Sequence, residues 1–297
     1  MTAVSVVIPV FERQAQGIEA LRSALAQIGA KDEIVIVDDG SKEPFWLPDY
    51  AAADPRVTLI RHDVNRGAAA ARNTGIKAAL GTWIAFLDSD DLWLPGKLDA
   101  QRALALEASQ GQELWAIATG FRRLDAVNGG RGEDLLPVPA STVRQFASGC
   151  WFAPGSTVLL PASAFDRLGG FDTSLGRLED LDWFLRFGIA GGRLAVAPVI
   201  GSVVRVGGRP DPARVDAARE RLADKWINGS GRLPDAGDRR RLRAYLDLES
   251  ASANYYAGRT LRAVVRLGSS LLRVPRLGLP LERWWSRSSS LPKGPTV

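Results

Sequence analysis

The first half of the chain alternates short apolar runs with longer, often alanine-rich segments. The apolar runs are bounded by turn-forming or charged residues, which predicts strands at Val4–Val10, 33–37, Val57–Arg61 and 83–87. The intervening segments predict helices at 17–28, 67–80 and 95–109, the last with Pro95 in its first turn. This alternation predicts an α/β fold with a mainly parallel central sheet flanked by helices. In such sheets, ligands bind beyond the carboxyl ends of the strands.

The second half continues this pattern and then changes character. Strands are predicted at 115–120, 157–160 and 194–206, with a helix at 181–189. Glycine and proline interrupt the chain around 207–214, so we predict an α/β domain over 1–210. The remainder, 211–297, is predicted to be a basic helical extension, with helices at 214–226, 239–257 and 259–272.

Composition narrows the classes of protein. The hydrophobic fraction of 46% suits a globular core, and the chain has one histidine, His62, and one cysteine, Cys150. Disulfide frameworks and Cys/His zinc clusters are therefore excluded, and we expect no role for His62 and a packing role for Cys150. The N-terminal apolar run lacks a basic leader, and no run approaches the ~18 apolar residues of a membrane span. We therefore expect a cytoplasmic protein, either soluble or peripheral at the inner face of the membrane.

Positive charge is concentrated in the tail. Residues 239–297 contain 12 Lys and Arg against 3 Asp and Glu, whereas residues 1–238 contain 26 against 30. We expect no nucleic-acid partner, because the basic residues accompany no recognised module. The tail interleaves Arg with Leu, Val, Trp284 and Trp285, which leaves two interpretations open. One is peripheral membrane contact, and the other is helices that pack on the domain or form an oligomer with a second copy.

Carboxylates follow two of the predicted strands, and others begin a later helix. Asp38 and Asp39 end the second strand, and Asp88, Asp90 and Asp91 follow the fourth. Hard divalent ions such as Mg²⁺ and Mn²⁺ prefer oxygen ligands and often bridge carboxylates to phosphates, so the second group is the better metal candidate. Helix capping explains these aspartates about equally well when they are considered alone. Asp39 suits either a turn or recognition of a nucleobase N–H.

Two further segments of the chain contain candidate site residues. Arg72 lies one turn into a helix that follows Gly67, where a guanidinium could reach a phosphate, although a solvated helix arginine is more common. Glu179 and Asp180 stand at a predicted helix start, which acidic residues also favour for the helix dipole. A sugar hydroxyl needs a general base to attack a carbon, and Asp180 is our candidate.

Five segments of the chain resemble family 2 glycosyltransferases with the GT-A fold. They are VSVVIPVFER, IVIVDDGS, NRGAAAARNTGIKAALGTWIAFLDSDDLW, FDRLGGFD and EDLDWFLR, in the family's order over roughly residues 3–206. The resemblance implies a Rossmann-like nucleotide-binding half beside an acceptor half. It implies inverting transfer from a nucleotide-diphosphate sugar, UDP-sugar first, to a saccharide or lipid-linked hydroxyl acceptor, with Mn²⁺ or Mg²⁺. The resemblance also implies a role in the assembly of cell-surface polysaccharide, lipopolysaccharide or glycolipid.

The same resemblance implies a role for each matching residue. Residues around the nucleotide would be Pro9, Phe11, Glu12, Asp39, Arg72, Asp88 and Asp90. Asp90 and Asp91 would hold the metal, Asp180 would be the catalytic base, and Gly155, Ser156 and Glu179 would lie by the donor sugar or acceptor.

The chain also departs from the family pattern. Many relatives have a histidine after the last core strand, where this chain has VVRVGGRP, so Arg205 or Arg209 is the candidate for positive charge there. The signature of processive synthases is missing, which predicts transfer of single sugar residues. Two alternatives are a nucleotide-sugar-binding protein without turnover and a sugar-phosphate nucleotidyltransferase. The latter is disfavoured because VIPVFERQAQG lacks a glycine-rich basic loop for a triphosphate.

Overall fold

The computed structural model describes residues 3–108, 114–125, 132–206, 210–229, 231–278 and 284–286. The described strands are β1 (Val4–Val10), β2 (Glu33–Asp38), β3 (Val57–Arg61), β4 (Trp83–Phe86), β5 (Leu92–Trp93), β6 (Trp115–Asp125), β7 (Gly132–Pro137), β8 (Leu159–Pro161), β9 (Arg193–Val206) and β10 (Trp285–Ser286). The helices of the first part are α1 (Gln14–Leu25), α2 (Asp49–Ala52), α3 (Ala68–Ala78) and α4 (Lys97–Ala108). Those that follow are α5 (Val143–Phe146), α6 (Pro154–Thr157), α7 (Ala162–Leu168), α8 (Glu179–Ile189), α9 (Pro212–Ala223, continuing as a π-helical turn Asp224–Asn228), α10 (Ala236–Tyr256), α11 (Thr260–Arg273) and α12 (Pro275–Gly278).

One half of the sheet is parallel, and the other half is mixed. β3, β2, β1 and β4 lie side by side in that order and pair in parallel. β8 then pairs antiparallel with both β4 and β6, and β9 pairs in parallel with β6 and antiparallel with β5. The predicted α/β sheet flanked by helices is confirmed. Its second half is less parallel than the sequence pattern suggested, because β7 and β8 pair antiparallel with their neighbours and the apolar pattern of a strand does not give its direction in the sheet.

Strand β1 shows why the parallel half is buried on both faces. Val4, Val6 and Ile8 face one apolar cluster, and Val7 faces another, and all four are fully buried. A strand covered on both faces becomes apolar at every position, so its sequence is a continuous run. The run VSVVIPV therefore places β1 at the centre, with β2 and β4 on either side. The carboxyl ends of β1, β2 and β4 consequently open at one edge of the sheet.

Helix α8 closes the second half with an aromatic core. Trp183, Phe184 and Phe187 are buried on α8 and contact one another and Phe146 of α5. Ring centroids in these pairs are 5.1 to 6.0 Å apart, within the range of favourable aromatic contacts. This packing fixes the first turn of α8, which carries Glu179 and Asp180.

The C-terminal helices pack directly on α8. Leu181 and Leu185 of α8 share a buried cluster with Leu242 and Leu246 of α10. The Trp226 Nε1 donates to the buried Asp182 carboxylate at 2.8 Å. The predicted helices at 239–257 and 259–272 correspond to α10 and α11, and the side that packs on α8 is the apolar side of α10.

The two tryptophans of the tail also contact the protein. The Trp284 and Trp151 ring centroids are 4.8 Å apart, and Trp285 Nε1 donates to the Trp151 carbonyl at 3.1 Å. β10 adds to the sheet by pairing with β7. Both half-buried tryptophans therefore lie against the α/β domain, and membrane contact by the tail stays a prediction. Among the described residues, no helix is both long and apolar enough to cross a membrane.

Candidate active site

Asp88 stands directly beyond β4 and is held from two sides. Its N–H donates to the Gly155 carbonyl and to the Ser156 hydroxyl, both at 3.1 Å. A Cβ on Gly155 would lie 2.2 Å from Asp88 Oδ2. Gly155 is therefore the residue that lets α6 approach the carboxylate, and the position of Gly155 and Ser156 by the donor sugar or acceptor stays a prediction.

Arg72 links Asp88 to the start of α8. Its two terminal nitrogens donate to Asp88 Oδ1 and to Glu179 Oε1, each at 2.7 Å, and its side chain is 10% exposed. Although burial opposes the charged form, Asp88 and Glu179 raise the pKa of Arg72, so the guanidinium stays charged. Among the described residues, its buried Nε has no hydrogen-bond partner. Arg72 thus places a fixed positive charge between two carboxylates, of which Glu179 lies 107 positions away in the sequence.

Asp180 begins α8 next to this pair. The preceding residue, Leu178, has φ of 62°, a left-handed conformation that turns the chain sharply into the helix. The Leu181 N–H donates to Asp180 Oδ1 at 2.8 Å. Burial and the charge of Glu179 raise the pKa of Asp180 to about 6, whereas the Leu181 N–H and Arg72 act in the opposite direction. A carboxylate in this state is suited to accept a proton near neutral pH.

These side chains line one cavity of about 210 Å³. Arg72, Asp88 and Gly155 line one part of it, and Glu179 and Asp180 line another. Tyr245 and Glu249 of α10 complete the wall, and the Tyr245 hydroxyl donates to Glu249 at 2.6 Å. The cavity therefore brings together the Asp180 carboxyl, the Arg72 guanidinium and the Asp88 carboxylate from three separate parts of the chain.

Sequence reasoning missed the contribution of α10. Tyr245 and Glu249 lie in the region predicted as an extension, and an (i, i+4) pair on a helix gives no signal of what it faces. The sharp turn at Gly149, whose φ is 108°, accommodates Tyr245, because a Cβ there would lie 2.3 Å from the ring. Cys150 also lines the cavity, and burial raises the pKa of its thiol well above the usual value, in keeping with a packing role.

Asp90 and Asp91 differ in their surroundings. Asp90 Oδ2 forms an ion pair with Arg13 at 3.0 Å, and its side chain is 23% exposed. Asp91 is buried, and its two oxygens accept from Ser156 Oγ at 2.5 Å and from the Arg205 N–H at 2.8 Å. Burial raises the pKa of both carboxyls, that of Asp91 to about 7, with Asp88 contributing to both. The hydrogen bonds of Asp91 therefore connect the turn to Ser156 of α6 and to Arg205 of β9.

Asp90 and Asp91 are the two carboxylates that this turn would offer to a divalent ion. Among the described residues, no three Asp, Glu, His or Cys side chains converge as a ready metal cage. Magnesium-type sites commonly take one or two protein carboxylates and complete their shell with phosphate oxygens and water. Asp90, which is partly exposed, suits that arrangement better than Asp91, whose two oxygens already accept hydrogen bonds. Arg205 donates to the Asp90 carbonyl at 3.1 Å, and Arg209 lies outside the described residues.

The residues expected around a nucleoside lie at the ends of β1 and β2. Pro9 is in β1 opposite Val37, and Phe11 is 42% exposed just beyond the strand. Glu12 has φ of 53°, and its carboxylate accepts from the Lys42 N–H at 2.8 Å. An exposed aromatic ring at this edge is available for stacking on a planar ligand.

Asp39 is buried and oriented by His62. Asp39 Oδ1 lies 2.7 Å from His62 Nδ1, and the other ring nitrogen of His62 lies 2.8 Å from the Thr74 hydroxyl. The N–H groups of Arg66 and Gly67 also donate to this carboxylate, at 3.0 and 2.7 Å. His62, expected to have no role, thus positions Asp39, and no sequence signal pointed to it.

Comparison with known proteins assigns the first part of the chain to a family. Residues 5–110 match the family model described as glycosyl transferase family 2. This segment is therefore similar to the glycosyl transferases of family 2. The matched part runs from β1 through α4 and so contains Asp39, Arg72, Asp88, Asp90 and Asp91.

Curated relatives agree with this assignment. The chain is 32% identical over 205 residues to the pre-mycofactocin glycosyltransferase of Mycobacterium tuberculosis, a match over 66% of this chain and 41% of that protein. It is 41% identical over 97 residues to a putative colanic acid biosynthesis glycosyl transferase of Escherichia coli, over 32% and 35% of the two chains. An uncharacterised glycosyltransferase of Rickettsia felis is 48% identical over 101 residues, 34% of this chain and 17% of the relative. The chain thus spans less than half the length of each of these three relatives.

Solved structures confirm the GT-A fold. Staphylococcus aureus TarS 1–349 superposes with a TM-score of 0.67 at 18% identity, covering 95% of this chain and 83% of that one. Structures of TarS 1–349 with UDP and with UDP-GlcNAc give TM-scores of 0.65 and 0.63 at 19% and 18% identity, covering 95% of this chain and 83% and 84% of theirs. A Pyrobaculum calidifontis mannosyltransferase in complex with GDP-Man and Mn²⁺ gives 0.60 at 21% identity, over 91% and 75%.

Proposed function

We propose that this protein transfers a single sugar, with inversion, from a nucleotide-diphosphate sugar to a hydroxyl acceptor. The observation that carries the proposal is the cavity that places Asp180 beside Arg72 and Asp88. UDP-sugar is the proposed first choice of donor, a choice supported by the complexes of TarS with UDP and UDP-GlcNAc. GDP-mannose is the alternative, since the Pyrobaculum neighbour binds it.

The proposed reaction uses one carboxylate as base. Asp180 accepts the acceptor proton while the acceptor oxygen forms a bond to the anomeric carbon from the face opposite the phosphate. The bond from that carbon to the phosphate oxygen breaks, and its electron pair leaves with the nucleoside diphosphate. Arg72 stabilises the negative charge that develops on the diphosphate. A single displacement inverts the anomeric centre, since no covalent sugar intermediate is formed.

The donor is proposed to lie along the carboxyl ends of β1, β2 and β4. Pro9, Phe11 and Glu12 would surround the base, with Asp39 reading its edge, and the diphosphate would lie towards Asp88. Gly155, Ser156 and Glu179 would border the donor sugar or the acceptor. Mn²⁺ or Mg²⁺ would be held by Asp90, with Asp91 behind it, and when bound it would neutralise charge on the diphosphate.

The acceptor is proposed to be a saccharide or a lipid-linked sugar in cell-surface polysaccharide, lipopolysaccharide or glycolipid assembly. The name of the Escherichia coli relative supports polysaccharide biosynthesis. Such an acceptor would place the protein in the cytoplasm, at the inner face of the membrane. Binding without turnover is the second candidate, and it is disfavoured because a pKa of about 6 gives Asp180 the properties of a working base.

The test is Asp180→Asn in the full chain. We expect transfer to fall by about 10³-fold, because general-base catalysis contributes roughly 10²–10⁴-fold. Donor binding, measured by calorimetry with UDP-GlcNAc and Mn²⁺, should stay within about twofold of the wild-type value, since the substitution preserves size and removes only the ability to accept the proton. The matched control is Asp166→Asn on the same half of the molecule. Transfer that survives in Asp180→Asn would remove Asp180 from the mechanism, and absence of donor binding in both proteins would reject the proposed donor.

A further inference from the structure

Helix α11 has an apolar face that no other described element covers. Four of its apolar side chains are largely exposed: Leu261 (80%), Val264 (61%), Val265 (61%) and Leu272 (83%). Their spacing of three, four and seven or eight residues places them in one stripe along the helix, with Gly268 in the same row. The opposite side, which includes Ala263 and Ser270, is buried against α10. A monomer in water gains nothing from such a stripe, so it marks an interaction surface.

Aromatic side chains extend this stripe at one end. Tyr255 and Tyr256, in the last turn of α10, are 67% and 50% exposed. They directly precede the short turn into α11, whose first exposed apolar residue is Leu261. Tyrosine favours the boundary between water and lipid headgroups, because its ring is apolar and its hydroxyl is polar. We call the six residues Tyr255, Tyr256, Leu261, Val264, Val265 and Leu272 the α11 face.

The charged residues in the sequence segment that contains α11 are all positive. The segment 259–276 contains five arginines and no Asp or Glu. Arg262, Arg266 and Arg273 follow one another at intervals of four and seven residues, which places them along one flank of the stripe. Arg273 and Arg266 also contact the buried Asp247, at 3.2 and 3.9 Å, which anchors this flank to α10.

An arginine-lined groove lies at the far end of the same helix. The groove, about 380 Å³ in volume, is formed where α10, α11 and α12 meet α5, and it is lined by Arg144, Arg240, Arg241, Arg273 and Arg276. Arg240 donates to the Leu272 carbonyl at 3.4 Å, so the groove adjoins the last residue of the α11 face. Guanidinium groups bind phosphate oxygens well, which suits this groove to a phospholipid headgroup.

We propose that the α11 face docks the protein on an anionic membrane surface, with the arginine groove against lipid phosphates. An amphipathic helix with an apolar stripe, flanking arginines and boundary tyrosines has the composition that binds in the headgroup region of anionic lipid. A second copy of the chain is a poorer occupant, because two such faces would bring two sets of five arginines together, and the Asp247 carboxylate that contacts Arg266 and Arg273 is buried within each copy. The inference builds on the proposed lipid-linked acceptor, since α10 carries both Tyr245 of the cavity and the surface on which α11 packs.

Docking also orients the cavity with respect to the lipid. Tyr245 and Glu249 face the cavity from α10, and Tyr255 follows on the same helix about one and a half turns beyond Glu249. A lipid-linked acceptor could therefore remain in the membrane while its sugar reaches Asp180. Docking and catalysis rest on different residues, so each can be lost without the other.

Vesicle co-sedimentation of the full chain tests the docking surface. The probes are vesicles of phosphatidylcholine alone and of phosphatidylcholine mixed with phosphatidylglycerol. We expect binding to the mixed vesicles only, weakening as salt is added. Val264→Glu/Val265→Glu should lower the partition coefficient by about tenfold or more, because two apolar contacts are lost and two like charges face the anionic lipid. Leu106→Glu, an exposed leucine on α4, is the apolar control and should bind as the wild type does.

The charge contribution is tested with a matched pair of double variants. Arg262→Gln/Arg276→Gln should weaken binding to the mixed vesicles by about thirtyfold, because each arginine near the surface contributes roughly 1 kcal/mol. Arg22→Gln/Arg214→Gln removes the same charge elsewhere and should leave binding nearly unchanged. Donor binding, measured in parallel by calorimetry, should be normal in every variant, so its failure would count against the proposed function alone. The docking proposal would be overturned if the wild-type chain did not bind mixed vesicles, or if the Val264→Glu/Val265→Glu variant bound them normally. It would also be overturned if the wild type formed a dimer without lipid and Val264→Glu/Val265→Glu dissociated that dimer.

Discussion

At the scale of single residues, the site depends on a few side chains whose surroundings alter their chemistry. Asp180 has a raised pKa because it is buried beside another carboxylate, and Arg72 keeps its charge because two carboxylates flank it. Ordinary aspartate would be a weak base in water. Burial in the cavity makes it a suitable one near neutral pH.

The raised pKa predicts how transfer depends on pH. Asp180 works as a base only when it is deprotonated, so kcat should rise as pH increases through about 6 and then level off. A wild-type pH–rate profile from pH 4.5 to 8 measures this. The residual transfer rate of Asp180→Asn measured over the same range is the control, since that variant has no carboxyl at this position to titrate. A kcat that falls through pH 6 as pH rises would contradict the assignment.

Gly155 is a second residue whose effect comes from geometry. We expect Gly155→Ala to weaken donor binding and transfer by about tenfold or more, because a Cβ at 2.2 Å from Asp88 Oδ2 forces that carboxylate away from Arg72. Gly176→Ala is the matched control, because nothing lies within 4 Å of its Cβ position. Calorimetry with UDP-GlcNAc and transfer assays compare the two. Equal behaviour of the two variants would show that Asp88 does not need its present position.

At the scale of elements, buried polar contacts join the C-terminal helices. Asp247 of α10 is fully buried, and its carboxylate accepts from Arg219 of α9 at 2.8 Å and from Ser269 and Arg273 of α11 at 2.8 and 3.2 Å. One carboxylate thus connects three helices. A buried charge of this kind is costly to leave unpaired, so all its partners depend on it.

We therefore expect Asp247→Ala to destabilise the fold strongly. Removing one partner of a buried ion-pair network costs about 3–5 kcal/mol, because the arginines lose their counter-charge. Asp99→Ala is the control, since its pair with Arg102 is at 3.7 Å and its side chain is 85% exposed. Urea unfolding of both variants measures the free energies of unfolding. A loss below about 1 kcal/mol for Asp247→Ala would mean that the helices are held by apolar packing alone.

At the scale of the whole molecule, the C-terminal helices belong to the same working unit as the sheet. Leu178, Leu181 and Leu185 share a core with α9 and α10, and Tyr245 lines the cavity. The predicted division at 210 therefore separates segments whose side chains meet in one core and one site. The division itself stays a prediction about the chain, whereas the shared cavity is a feature of the structure.

The position of Tyr245 predicts a role in acceptor recognition. We expect Tyr245→Phe to raise the acceptor KM by about fivefold, with donor binding unchanged, because the ring would remain while the hydroxyl contact with Glu249 would be lost. Tyr50→Phe, at an exposed tyrosine of α2, is the control. Steady-state kinetics with donor and acceptor varied separately distinguish the two effects. A change confined to donor KM would place Tyr245 on the wrong side of the site.

The sequence by itself determined the parallel half of the sheet, the carboxylates beyond β2 and β4, and the resemblance of residues 5–110 to family 2. These features are local, since a buried parallel strand must be apolar throughout and turn residues must follow it. Even so, the pattern did not separate Asp90 from Asp91, which share one turn and differ in burial.

Only the tertiary structure decided what distant residues do together. Arg72 meets Glu179 across 107 positions, and Tyr245 reaches the cavity from a helix that looked like an extension. His62 orients Asp39, and the tryptophans of the tail contact Trp151. The spacing of apolar residues along a helix or strand shows which of its faces is apolar. Which other element packs on that face depends on how the whole chain folds.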